Sequence, residues 1–81
     1  MDSDQIALIL RAVSAEAGRI AEKPVTLVSA TFDAIAPMNE GETATTSVDI
    51  TRATRTIVFS TAQLRGHDGR LLMTASAVHR I

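Results

Sequence analysis

Residues 4–21 read DQIALILRAVSAEAGRIA, a helical stretch that is apolar almost all the way round. Ile6, Leu10, Val13, Ala17 and Ile20 recur at helical spacing and form one continuous stripe. Ala7, Leu8, Ile9, Ala12 and Ala21 widen it beyond half the cylinder. The polar interruptions are Arg11, Ser14, Glu16, Gly18 and Arg19. A helix of this kind must be covered on most sides. Asp2, Ser3 and Asp4 are N-cap candidates, Asp2 and Gln5 have capping-box spacing, and acidic residues there suit the helix dipole. Pro24 ends the element.

Everything after Pro24 must therefore supply the cover, and its pattern is that of strands. Residues 25–35 are β-branched and alternating. APMNEGE, at 36–42, is a connection built from Pro, Asn and Gly. Residues 43–51 alternate cleanly, with Ala44, Thr46, Val48 and Ile50 on one face and Thr43, Thr45, Ser47 and Asp49 on the other. Arg52, Ala53 and Thr54 are the expected turn into a third strand over 55–64. The GHDG segment at 66–69 carries Asp68-Gly69, a hairpin signal, and a fourth strand follows over 70–81. The expected fold is α+β: one central helix, then a four-stranded antiparallel sheet, in one domain over residues 1–81. Four strands curled on one helix leave an exposed edge. A second copy joined edge to edge would cover it, so a homodimer or higher homo-oligomer is expected.

Composition narrows the function classes. The chain has 81 residues, a net charge of −1 and two aromatic residues, Phe32 and Phe59. Nucleic-acid binding needs a basic field or stacking platforms, and neither is present. There is no cysteine, which removes disulfides and thiolate chemistry. No apolar run is long enough to span a membrane and the first residues are acidic, so a cytoplasmic protein without membrane contact is expected.

Among polar residues, Glu16 has two readings: a catalytic carboxylate, or a solvated residue paired with Arg19 one turn on. Ser14 either orients a water or fills an interface. Arg52 and Arg55 read as solvated turn residues or as a fork for phosphate, which guanidinium groups bind bidentately. Glu40 and Glu42 flank Gly41 and read as solvated loop charges. His67 reads as a plain loop residue, and His79 lies on the last strand. No metal site and no Ser-His-carboxylate triad are expected from two histidines so placed. Met73 is expected to pack, on the face of Leu71 and Ala75.

Six features in register carry a resemblance: Phe32 and Pro37, Gly41-Glu42 opening a strand, the basic turn with Arg52 and Arg55, Phe59, Asp68-Gly69-Arg70, and the closing TASAVHRI. Together with the apolar helix they resemble hotdog-fold acyl-CoA thioesterases of the phenylacetate-pathway type, over residues 25–81 and more loosely the helix. The resemblance implies a sheet wrapped on a central helix, a dimer with sites at its seam, and an acyl-CoA or other acyl thioester as ligand. The CoA moiety would arrive as part of the substrate, and no separate cofactor is implied.

It also implies roles for residues. Arg52 and Arg55 fall near the turn that lies by the CoA phosphates or the acyl channel in that family. Relative to the family the chain reads as N-terminally shortened, without the strand that precedes the helix. Gln5 falls near the position of a His-Gly-Gly-like segment whose backbone N–H groups act as an oxyanion hole. Ser14 falls at the position of the helical acid. Glu16, the nearest carboxylate, is two residues away, a rotation of roughly 200°. Hydrolysis by way of Glu16 and Ser14, or a non-catalytic acyl-binding or dimerising scaffold, are the two functional expectations.

Overall fold

The computed structural model describes residues 3–81. Helix α1 spans Ser3–Ala21, and strands β1 to β4 span Thr26–Ala34, Ala44–Ala53, Ile57–Gly66 and Leu71–Arg80. The Asp2–Gln5 capping-box reading lies outside the described residues. Ser3 and Asp4 are already helical, so neither is the cap, and Asp4 places its charge in the first turn. The helix stops at Glu22, which takes a left-handed conformation (φ 56°) while its N–H bonds the carbonyl of Gly18.

The four strands form one antiparallel sheet in the order β1-β4-β3-β2. Strands β2, β3 and β4 are a meander, and β1 adds on the far side of β4. The expected alternation is present: Ala44, Thr46, Val48 and Ile50 face inward and Thr45, Ser47 and Asp49 outward. Ile9 and Val13 are fully buried in one cluster with Leu64, Leu72 and Met73, and Ala17 and Val58 are fully buried as well. The helix packs mainly on β2 and β3, less on β4 and least on β1. This is the sheet wrapped on one helix that the sequence predicts.

Bulges correct two local expectations. Between Ile50 and Arg52 the register shifts, and Arg52 then pairs with Phe59 and Ala53 with Val58. Strand β2 therefore runs through Arg52 and Ala53, which are not the turn. The turn is built around Thr54 instead. Its N–H bonds the Ile57 carbonyl, and its hydroxyl accepts from the N–H groups of Thr56 and Ile57. A threonine doing this work explains a tight turn without glycine. A second shift pairs Leu64 with Met73 but Arg65 with Leu71. Leu72 is the extra residue, so Leu71 shares the outer face of Arg65 rather than the inner face of Met73.

Because β1 and β2 lie on opposite edges, the connection between them crosses the end of the sheet. The N–H groups of Ile35 and Ala36 both bond the Leu72 carbonyl. Glu42 then ties the connection down. Its side chain is only 1% exposed, which overturns its reading as a solvated loop charge. It accepts hydrogen bonds from the Asn39 N–H (2.9 Å) and the Arg70 guanidinium (2.9 Å), and it pairs with His67 Nδ1 at 3.2 Å. His67 is thus a partner in this network rather than a plain loop residue. A side chain at Gly66 would run into the Glu42 carboxylate, so glycine is what leaves room for it. Gly66→Ala should cost about 1–3 kcal/mol by overpacking. Glu42→Ala should lower the melting temperature as well. In the double variant Glu42→Ala should relieve the Gly66→Ala clash, so a thermal-unfolding double-mutant cycle should give a clearly less than additive loss.

Candidate functional site

Helix α1 delivers Ser14 and Glu16 in different directions. Ser14 is half-buried and turns to the sheet, where its Oγ lies 2.9 Å from Nε2 of His79. His79 is fully buried on β4, opposite Val58 of β3 and Leu27 of β1. Its Nδ1 has no hydrogen-bond partner among the described residues. Burial lowers the His79 pKa below its usual 6.5, so the ring is neutral at neutral pH. Ser60 Oγ, on the same inward face, and Gln5 Nε2, in the first turns of the helix, are likewise buried without a partner among the described residues.

Glu16 bonds Arg19, through Nε at 3.0 Å and through Nη2. The hydrogen bond from Arg19 holds the Glu16 carboxyl below the ordinary carboxylate range. The two residues that sequence reasoning set side by side therefore occupy different faces, as their two-residue spacing requires.

The arginines also separate. Arg52, beside the bulge, lies on the outer face with Phe59, which is itself partly exposed. Arg55 sits in the β2–β3 turn and lines an open cleft of about 550 Å³ at the C-terminal end of the helix. The cleft floor is apolar, from Ile20, Ala21, Val58 and Ile81, and Lys23 lines it together with Arg55. Lys23 was not singled out by sequence reasoning, since nothing in the linear pattern brings residue 23 near residue 55.

A second cluster sits at the other end of the sheet. Ligand atoms of Glu42, His67 and Asp68 lie within 4.8 Å of one another. The sequence showed no such grouping, because Glu42 is distant in the chain. Arg70 already pairs with both carboxylates, at 2.9 Å to Glu42 and 3.0 Å to Asp68. The Asn39 N–H, then Arg70 and His67, hold the Glu42 pKa low. The Arg70 N–H and guanidinium do the same for Asp68.

A single helix wrapped by a curled antiparallel sheet defines the hotdog class, and comparison with known proteins places the chain within it. The family described as acyl-CoA thioesterase N-terminal domain matches residues 5–80. This protein belongs to that family. Comparison with curated proteins gives no match. Among solved structures, AziG of S. sahachiroi is 21% identical, with a TM-score of 0.83 and 91% of this chain covered. The E. coli PaaI protein from the phenylacetic acid degradation operon is 11% identical, with a TM-score of 0.85 over 99% of the chain. A hypothetical protein from Staphylococcus aureus, solved in complex with CoA, is also 11% identical, with a TM-score of 0.83 over 99% of the chain. At these identities the likeness establishes the fold. The chain covers 62%, 61% and 56% of those three structures, so it spans less than two thirds of their length. No described helix is long and apolar enough to cross a membrane.

The buried histidine gives a pH prediction. The folded-state pKa of His79 lies below the unfolded value of 6.5, so the unfolded chain takes up the proton first. Stability from this residue is intact above about pH 6.5 and falls as pH drops below it, levelling once the folded-state pKa is passed. Urea unfolding at a series of pH values should show this decline, and a His79→Leu variant that folds should lack it.

Proposed function

We propose that this protein handles acyl-CoA thioesters as a soluble, cytoplasmic homodimer, and that hydrolysis is its reaction. The observation that carries the reading is the thioesterase-family match across residues 5–80, with helix and sheet both present. Relatives solved with CoA support CoA as the carrier of the acyl group. CoA then enters with the substrate, and no separate cofactor takes part.

In the hydrolytic reading, water adds to the thioester carbonyl and the CoA thiol leaves. Glu16 is the carboxylate that takes the proton from the attacking water, and helix-borne donors meet the carbonyl oxygen. Arg55, beside the apolar cleft, and Arg52, on the outer face, are the contacts for the CoA phosphates. Ser14 and Glu16 leave the helix in opposed directions. They act on one carbonyl only where each comes from a different protomer, which ties catalysis to the dimer.

A second reading is a non-catalytic acyl or CoA binder, or a dimerising scaffold. Its support is the Glu16–Arg19 pair, because a carboxylate already bonded to a guanidinium is a weaker base.

Thiol release from a panel of acyl-CoAs, followed with a thiol-reactive dye, separates the two. Hydrolysis predicts turnover that Glu16→Gln lowers by about 100-fold or more. Arg52→Ala with Arg55→Ala should weaken CoA binding by about tenfold or more. Unchanged rates in Glu16→Gln would remove the carboxylate role. Absence of turnover on every substrate, with CoA still bound, would make the protein a binder. Light scattering should return at least twice the 8.6 kDa chain mass, and a folded monomer at working concentration would sink the dimer.

A further inference from the structure

We infer that Ser14 is a hydrogen-bond donor to the acyl carbonyl and that His79 is the residue that positions it. The inference rests on the thioester reading above and adds to it a residue pair and a direction for each bond.

The starting point is the 2.9 Å contact between Ser14 Oγ and His79 Nε2. It can run in two directions, depending on which ring nitrogen carries the proton. If the proton is on Nδ1, Nε2 accepts from the serine hydroxyl. That arrangement buries an N–H with nothing to receive it, because Nδ1 has no partner among the described residues. If the proton is on Nε2, the ring donates to Ser14 Oγ and only a lone pair is left buried. Buried N–H groups without an acceptor are rarer than under-used acceptors, and the second arrangement costs less. His79 is fully buried between Val58 and Leu27, so water does not reverse this preference. The neutral state of the ring agrees with it, since an imidazolium would need acceptors at both nitrogens.

The consequence falls on Ser14. Its oxygen is occupied as an acceptor from His79, and its hydroxyl proton is free to donate elsewhere. Accepting one hydrogen bond strengthens the next one donated along the same chain of bonds. Ser14 is half-buried while His79 is fully buried, so of the pair the serine lies nearer to solvent. A fixed donor of this kind stabilises charge that develops on a carbonyl oxygen when water adds to the carbon. No covalent bond forms at Ser14. A histidine that already carries the proton on Nε2 does not take another from the serine, so this is not a nucleophile and base.

Two measurements on the full chain test the inference. The first is the tautomer, read from nitrogen-15 correlation spectra of the histidine rings. The expected result is a protonated Nε2 and a bare Nδ1 on His79, and the reverse overturns the positioning. The second is binding of two stable ligands. One is a ketone analogue of an acyl-CoA, with a methylene between sulfur and carbonyl. The other is the matching alkyl thioether without the carbonyl. Ser14→Ala should weaken the ketone by about tenfold and leave the thioether within about twofold. Ser14→Thr should restore the ketone. Equal losses on both ligands, or no loss on the ketone, overturn the donor role and leave Ser14 as packing. A wild-type chain that binds neither ligand overturns the thioester reading and the donor role together. The tautomer then decides independently whether the pair itself is arranged as described.

Discussion

The structure depends on a helix that cannot stand in water. With Ile9, Val13 and Ala17 fully buried, one face of the cylinder needs apolar cover, and strands supply it, while Leu8 and Ile20 stay exposed. A flat sheet touches a helix along a line, whereas a strongly twisted one wraps it. The bulges at Val28, Thr51 and Leu72 add twist to β1, β2 and β4. Small residues on the inward face of the two central strands, Ala62, Ala75 and Ala77, let the helix sit close at its middle. Wrapping and closeness come from the same alternation of small and branched residues.

That arrangement also decides which polar groups are buried. The inward face of β4 runs Met73, Ala75, Ala77, His79, so a histidine is carried under the helix by strand periodicity. Ser14 lies where the helix crosses that position and gives it a partner. At the opposite end, Glu42 is carried under the β3–β4 hairpin by a connection that must cross from one edge of the sheet to the other. One buried polar contact joins helix to sheet, and the other joins connection to hairpin.

Much of this is legible from residue patterns. The apolar stripe defines the helix, and the alternation from Ala44 to Ile50 defines both β2 and its inner face. The inward position of His79 follows from counting by twos along β4. What the patterns do not carry is bulges and distant contacts. The extra residue at Thr51 moves Arg52 out of the turn, and nothing nearby in the chain announces it. The burial of Glu42 depends on Gly66 and Arg70, more than twenty residues away, and a Glu-Gly-Glu stretch looks like solvated loop until they arrive. Within the candidate site, the separation of Ser14 from Glu16 is legible from helical geometry. The Ser14–His79 contact needs the helix placed over β4, which is tertiary information.

The order of the strands has a consequence for how the domain is made. Strand β1 takes its ladder of hydrogen bonds from β4, with Thr26 opposite Arg80. It gains little from the helix beside it. As the polypeptide leaves the ribosome, the β2–β3 hairpin can form early, since its two strands are adjacent in sequence. Strand β1 emerges before that hairpin and must wait for β4, its partner in the sheet. Closing so long a loop is slow. The strand made first in the sheet is therefore the one that joins it last, and until then it is the segment a chaperone would hold.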